Sequence, residues 1–281
     1  MAKIIEGLRQ KFPLSELLQY AKMSRSTFYY HQRRLNQPDK YVDLKVKIKE
    51  IFEQNKGYYG YRRVHATLRN QGENYNHKTI CKLMKDMKLQ GKQKKVKYRS
   101  YKGDIGKKAD NILNRNFKAE KPWEKLATDV TVFSVCDEKI YLSPIIDLFN
   151  KEVVSYSISK SPNFEQTKDM LSKLFIKMPK TARPLLHSDQ GWQYQHKIYS
   201  DLLEKHNITQ SMSRKGNCLD NSVMENFFGR LKTEMFNGEK FNSTEDFIRK
   251  LEEYICYFNN KRVSLVLNGM SPVQYRTHSE Y

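Results

Sequence analysis

The order of short apolar runs in the second half of the chain constrains its fold most. LATDVTVF (126–133), KIYLSPIID (139–147) and EVVSYSI (152–158) are rich in β-branched and aromatic residues, with polar breaks between them. Runs of this length and make-up predict strands, and their close spacing predicts a three-stranded antiparallel meander. The period then changes. Met170, Leu171, Leu174, Phe175 and Met178 recur at helical spacing over 164–178. RPLLHSD (183–189) reads as a fourth strand, 195–206 as a helix and NITQSM (207–212) as a fifth strand. Two long helices are expected over 220–236 and 244–261. Three strands followed by alternating helix and strand predict an α/β domain, a mixed sheet with helices on both faces.

Charge divides the 281 residues unevenly. The net charge is +20, from 51 Lys+Arg against 31 Asp+Glu. Residues 1–125 hold 31 basic and 12 acidic side chains, a net +19, and residues 126–281 hold 20 and 19, a net +1. A charge this large implies a polyanionic partner, and the partition assigns that partner to the first half. Within that half, Leu14, Leu17, Leu18 and Ala21 predict one short helix. Ser24 can cap a second that carries Arg25, Ser26 and Thr27. That is a helix-turn-helix layout, whose second helix enters the DNA major groove; a plain helical hairpin is the alternative. A second helical unit follows, with helices near 41–55, after GYYGYRR (57–63) and after Asn76, and with Arg62 and Arg63 as candidate phosphate contacts. The run GKQKKVKYRSYK (91–102) interleaves Lys94, Lys95 and Lys97 with tyrosines, which suits a nucleic-acid backbone as well as a solvated linker. The expected organisation is a helix-turn-helix over 1–40, a second helical DNA-binding unit over 41–97, a basic linker over 98–120 and a catalytic core with its C-terminal helix over 121–281.

Other classes are disfavoured. No run approaches the ~18 apolar residues of a membrane span, and the N-terminus lacks a signal-peptide apolar region. Cys81, Cys136, Cys218 and Cys256 form no CxxC pair, so neither a zinc site nor a disulfide framework is indicated.

Three carboxylates carry the chemistry. Asp129 lies within an apolar strand segment, where an ionised side chain needs a partner or a metal. Asp189 ends the fourth strand, and ligands gather at the carboxyl ends of parallel strands. Glu225 lies on a helix whose apolar face is Met224, Phe227, Phe228, Leu231 and Met235, with Lys232 seven residues on in nearly the same direction. Thirty-five residues separate Asp189 from Glu225. Three acids on separate elements of one sheet suit a pair of hard divalent cations, Mg²⁺ or Mn²⁺, which clamp the oxygens of an in-line phosphoryl displacement. Taken singly, each acid is an ordinary surface or capping residue. The loop SRKGNCLDN (213–221) reads as feeding a helix capped by Asp220, with Arg214 and Lys215 free to meet phosphates. His187 fits a packed strand-end histidine as well as a catalytic group, and Asp147, a fourth acid at a strand end, is expected rather to begin a turn.

The element order is that of the ribonuclease H-like fold, and the surroundings of the acids carry a closer likeness. WEKLATDVT (123–131), HSDQGWQY (187–194), SRKGNCLDNSVMENFFGRLKTE (213–234) and YFNNKR (257–262) followed by LNGMSPVQY (267–275) resemble bacterial insertion-sequence transposases. The type resembled is the second-frame (OrfB) product of the family with two overlapping frames, whose core is similar to retroviral integrases. This resemblance implies metal-binding acids at Asp129, Asp189 and Glu225 and a basic DNA contact at Lys232. It places His187, Gln190, Gly191, Tyr194, Asn217, Asp220 and Asn221 at motif positions. One departure is Ser264, where many members carry His.

The resemblance implies a Mg²⁺-dependent DNA transposase that cleaves element ends and joins the 3′-hydroxyl to another phosphodiester. Terminal inverted repeats and target DNA are the expected partners, together with a first-frame protein as fusion partner and a second copy of the chain on DNA. A start at Met1 is expected of the second-frame product alone. A bacterial cytoplasmic, nucleoid-associated location and no membrane contact complete the expectation. The alternatives are a nuclease that cuts without joining and a DNA-binding regulator without catalysis.

Overall fold

The computed structural model describes residues 1–36, 39–91, 109–214 and 218–279. Lys94, Lys95, Lys97, Lys215 and Asn217 lie outside the described residues. The chain forms two compact units, Met1–Glu50 and Ile51–Tyr281.

The first unit holds α1 (Ala2–Leu8), α2 (Leu14–Tyr20) and α3 (Arg25–Asn36), and α4 (Val42–Gln54) begins in it. Ala2, Ile5, Leu18 and Phe28 close a small core, with Leu14, Leu17 and Ala21 packed against it. Ser24 caps α3 as expected: its Oγ accepts from the Thr27 amide at 3.1 Å. The α1 helix was not anticipated, because seven residues carry too little periodicity.

The second unit opens with α5 (Tyr61–Asn70) and α6 (His77–Asp86). Asn76 caps α6, accepting from the Lys78 amide at 2.8 Å. These helices pack on the C-terminal segment of the same unit. The Tyr59 hydroxyl accepts from the Val263 amide at 2.9 Å, Tyr257 donates to Asn55 Oδ1 at 2.8 Å, and Asn70 donates to the Gly269 carbonyl at 2.8 Å.

The sheet contains β1 (Lys125–Thr128), β2 (Thr131–Val135), β3 (Glu138–Asp147), β4 (Val153–Ser159), β5 (Leu185–Ser188) and β6 (Thr209–Met212). Across the sheet β4 pairs β3, β3 pairs β1 and β2, β1 pairs β5, and β5 pairs β6. The first three pairings are antiparallel, and β1–β5 and β5–β6 are parallel. This is the mixed ribonuclease H-like sheet. The first expected strand is split in two. Its register against β3 runs on unchanged from Thr128↔Ile145 to Thr131↔Leu142, which leaves Asp129 and Val130 opposite Pro144 and Ser143. Pro144 has no N–H to offer the ladder, and there the ladder opens.

Alternation along the strands divides two cores. Ala127, Phe133, Leu142, Ile146 and Val153 face α9 (Ser222–Leu231) and α10 (Thr244–Asn260) through Phe227, Leu231, Leu251 and Phe258. Leu126, Ile145, Val154 and Leu186 face α7 (Phe164–Lys177) and α8 (Lys197–Lys205) through Met170, Leu174, Tyr199 and Leu203. The helix expected over 220–236 is α9 followed by a π turn at Lys232–Phe236. The C-terminal α11 (Pro272–Ser279) was not anticipated. Residues 109–120, read as the end of a linker, fold against the core, with Leu113 only 2% exposed. No helix among the described residues is long and apolar enough to cross a membrane.

Candidate active site

Strand register builds the site. The β1–β5 pairing runs Lys125↔Leu185, Leu126↔Leu186, Ala127↔His187. The same offset, carried two residues further, sets Asp129 beside Asp189 at the carboxyl ends of adjacent parallel strands, about 4.8 Å apart strand to strand. Alternation turns both toward the face covered by α9, which carries Glu225. The electrostatics agree with this placement. Burial pushes the Asp129 carboxyl well up, the Asp189 and Glu225 charges push it further, and the Val130 amide and Lys232 oppose them. Asp189 is also pushed up by burial, against the Gly191 amide. Lys232 opens the π turn. Burial lowers its ammonium, with Asp129 acting to raise it, and its Nζ lies 5.5 Å from the Phe133 ring centroid.

Neighbouring groups hold these acids. Asn221 donates Nδ2 to Asp129 Oδ2 at 3.0 Å, while its own Oδ1 is buried without a partner. The Gly191 amide donates to Asp189 Oδ1 at 2.9 Å in a tight Asx turn. A Cβ at Gly191 would lie 3.0 Å from that oxygen and 2.5 Å from Gln193 Nε2, so a side chain there would displace the Gln193 amide and crowd the Asp189 carboxylate. Gln190 donates to the Ser213 carbonyl at 2.9 Å and ties this turn to the loop before α9. Tyr194 is buried beneath the site, its hydroxyl 3.5 Å from Thr128 Oγ1, and burial pushes its phenol far above the usual range.

His187 does not reach the acids. It is fully buried, with Nδ1 2.9 Å from Ser211 Oγ and Nε2 3.1 Å from Ser213 Oγ. Burial lowers its pKa to about 4, although nearby Asp220 favours the charged form. Its ring nitrogens are taken up by the two serines, and burial favours the neutral form. Asp220 differs from its expected role. Asn221, not Asp220, occupies the α9 N-cap, without a side-chain cap bond. The buried Asp220 carboxylate instead accepts from Arg115 Nε at 2.8 Å, Asn111 Nδ2 at 2.9 Å and Arg214 Nε at 3.1 Å. Burial alone would raise it, but the two guanidiniums hold it well below the usual carboxylate range. Arg214, expected at phosphate, thus donates inward. Asp147 begins a turn as expected, accepting from the Trp123 and Phe149 amides at 2.8 and 2.9 Å.

The expected DNA contacts fall in separate places. Arg25, Ser26 and Thr27 are exposed on the first turn of α3. Arg62 is exposed on α5. Arg63 on the same helix turns inward to Glu234, at 3.5 Å. The acids as a set are all-oxygen donors, and no ion pair among the described residues reaches them. Hard divalent cations fit this chemistry. Among the described residues no three His, Cys, Asp or Glu side chains are gathered tightly enough to hold one ion, so metal binding by these acids requires them to close on it.

Comparison with known proteins decides the family. The integrase core domain family matches residues 119–218 and, in a second description, 225–279; the HTH-like domain family matches 40–97. The chain is 49% identical over 277 residues to transposase InsK of insertion element IS150 from Escherichia coli, covering 99% of this chain and 98% of that one. The chain belongs to the insertion-sequence transposases. It is also 32% identical to the IS904 transposase of Lactococcus lactis, over 89% of this chain and 99% of that one. To transposase InsF of IS3A from Escherichia coli it is 30% identical, over 96% of each chain. As an insertion-sequence transposase with an integrase core, it is an enzyme of the polynucleotidyl transferase class. Among solved structures it is similar to the HTLV-2 integrase catalytic core in complex with magnesium, at TM-score 0.45 and 16% identity over 57% of this chain and 99% of that one. The simian T-cell lymphotropic virus intasome matches at TM-score 0.48 and 14% identity, over 75% of this chain and 70% of that one.

Sequence reading missed the residues that support this transposase's site from a distance. Asn111 and Arg115 lay in the expected linker, and only their placement beside Asp220 gives them a role. Glu234 and Arg262 stood inside recognised motifs, but nothing in their spacing signals that Arg262, 2% exposed, reaches Glu234 through Nε at 2.8 Å and Nη2 at 2.6 Å.

Proposed function

We propose that the chain catalyses divalent-metal-dependent cleavage at the ends of its insertion element and transfer of the freed 3′-hydroxyl to target DNA, with Asp129, Asp189 and Glu225 holding the metal. The observation that carries this reading is the strand-end pair Asp129 and Asp189, facing Glu225 and Lys232 on the α9 side of the sheet. Mg²⁺ or Mn²⁺, as a bound pair, would supply Lewis-acid stabilisation of the oxygens at the scissile phosphate. The chain's own residues do the rest. Asn221 fixes the rotation of the Asp129 carboxylate, the Gly191 amide fixes that of Asp189, and Lys232 presents a cation beside Asp129 for a phosphate of the reacting strand. Water or a 3′-hydroxyl is the nucleophile, so no side chain forms a covalent intermediate.

Exposed Arg25, Ser26 and Thr27 on α3 and Arg62 on α5 contact DNA in this reading, as do Lys94, Lys95, Lys97, Lys215 and Asn217. The partners are terminal inverted repeats, target DNA, a first-frame protein joined as a fusion, and further copies of the chain on DNA, in the bacterial cytoplasm at the nucleoid. The test is a labelled element-end duplex with Mg²⁺. Wild-type protein gives a nicked and then a joined product, and Asp189→Asn gives neither. Nicking without joining makes the chain a nuclease, and unchanged products from Asp189→Asn remove the acids from catalysis.

A further inference from the structure

The second unit has a cationic cleft away from the acids. It lies between α5 and the turn that links α10 to α11, an open groove of about 660 Å³. Arg62, His65 and Arg69 of α5 and His77 of α6 form one wall, and Leu265 and Asn268 form the other. Among the described residues no Asp or Glu lines it. Six of the ten described arginines of this unit are ion-paired to a carboxylate: Arg63, Arg115, Arg214, Arg249, Arg262 and Arg276. Two of the remaining four, Arg62 and Arg69, face this cleft. A fold that neutralises most of its guanidiniums leaves these two together beside open space.

The cleft is also built to hold its shape. Arg62 Nε donates to Tyr61 Oη at 3.2 Å with the guanidinium over the Tyr61 ring, and Arg69 Nη2 donates to the Asn268 carbonyl at 3.2 Å. His65 Nε2 donates to the Tyr75 carbonyl at 3.0 Å, which fixes that ring. The opposite wall is held close by glycine. Gly269 sits at φ +83°, and a Cβ there would lie 3.2 Å from the Ala66 Cβ. Asn268 before it is left-handed too, and Ser264 closes the turn by pairing with Met270. Leu265 and Val266 stand out from the turn, 48% and 72% exposed.

We infer that this cleft is a composite binding site for the sugar–phosphate backbone of duplex DNA, with α5 supplying the cations and the Ser264–Met270 turn an apolar edge for the sugars. Arg62 and Arg69 lie seven residues apart, so they recur on one side of α5 about 10.5 Å along its axis. DNA phosphates recur every ~3.4 Å along a strand's axis, so the pair spans a few of them. The inference rests on the reading that the chain acts on DNA. It extends that reading by bringing the C-terminal turn into the DNA interface together with α5.

The experiment is binding of the full chain to a fluorescent element-end duplex in EDTA, across 50–200 mM salt. Each lost phosphate contact makes the salt slope of log K shallower by about 0.9, so Arg62→Gln/Arg69→Gln is expected to lower it by about 2, roughly tenfold in relative affinity over that range. The charge-matched control Lys177→Gln/Lys180→Gln, at the end of α7, should stay within about half a unit. A photo-crosslinking residue at uncharged Leu265 should capture the duplex, and the same residue at exposed Ile176 should not. Equal slopes for the two double variants, or crosslinking at Ile176 equal to that at Leu265, overturn the cleft and leave the catalytic reading intact. Wild-type protein without affinity for duplex overturns both. Loss of cleavage in Asp189→Asn with an unchanged cleft slope separates the two claims in the other direction.

Discussion

Replacing Arg262 with Met tests how the C-terminal end of α9 is anchored. Arg262 is 2% exposed and grips Glu234 with Nε and Nη2, while the Tyr254 hydroxyl donates to the same carboxylate at 3.0 Å and Arg63 approaches at 3.5 Å. Arg262→Met removes the main partner of a carboxylate that is itself largely buried. Breaking a buried pair on one side costs roughly 3–5 kcal/mol, a fall of roughly 6–20 °C in Tm for a unit of this size. The pH dependence fixes the sign. Burial pushes Glu234 up, but Arg262 and Arg63 more than offset it, so the folded carboxyl stays below its ordinary 4.5. The pair therefore stabilises fully above that value and loses its effect as pH falls through the folded pKa. The penalty of Arg262→Met should be largest at neutral pH and shrink below pH ~4.5. Urea unfolding of metal-free Arg262→Met, Glu234→Gln and the double variant measures this, at constant m-value. The double should cost less than the two singles together by about 2 kcal/mol or more. Additive costs, or a single-variant cost below ~1 kcal/mol, would refute the anchoring argument.

Four shorter predictions follow from the site. Asp129→Asn should abolish cleavage, raise the Tm of the metal-free protein by removing a buried charge beside Asp189, and erase any Mg²⁺-induced thermal shift; a lower metal-free Tm contradicts the electrostatics. Gly191→Ala should slow cleavage about 10–100-fold by displacing the Asp189 carboxylate, with Tm nearly unchanged, which single-turnover rates and a melt together check. His187, lowered to about 4, is neutral when folded, so stability should fall by up to about 3 kcal/mol as pH drops from 6.5 to 4. His187→Gln should flatten that limb, and an unchanged limb rejects the assignment. A fragment of residues 51–281 should give a cooperative melt and one of 126–281 should not; equal melts count against the packing described for α5.

The fold was legible wherever periodicity was strong. All three meander segments, the helix at 164–178 and the strand at 207–212 appear within a few residues of expectation, because apolar alternation and burial coincide there. The split at Asp129 was not legible, since it depends on Pro144 lying opposite, and register is invisible before strands are paired. The acids could be picked out by type, spacing and resemblance, whereas what holds them could not. Asp220 shows why: a polar residue before a helix reads as a cap, yet the carboxylate is claimed by Arg115 and Arg214 from segments that no local rule connects. His187 reads either way until its two serine partners on and beside β6 are seen.

Charge and packing draw different boundaries in this chain. The basic excess ends near residue 125, whereas the compact units divide between Glu50 and Ile51. Residues 51–90, with 8 basic and 3 acidic side chains, belong by charge to the basic half and by packing to the unit that carries the acids. The contacts explain how both hold. On α5, Val64 and Leu68 are buried and Arg63 pairs inward, while Arg62 and Arg69 stay outside; on α6, Ile80, Leu83 and Met84 are buried, while Lys78, Lys82 and Lys85 are exposed. An amphipathic helix with a cationic outer face keeps its charge for a polyanion while spending its apolar face on a neighbour. That neighbour is the C-terminal segment, joined through Tyr59 to Val263 and through Arg63 to Glu234, two residues beyond Lys232. The cationic face of α5 and the proposed acid site are thus joined by packed side chains. On the proposed reading, a duplex held on α5 keeps a fixed distance from the scissile phosphate, which an in-line displacement needs and a tethered DNA-binding module would not supply.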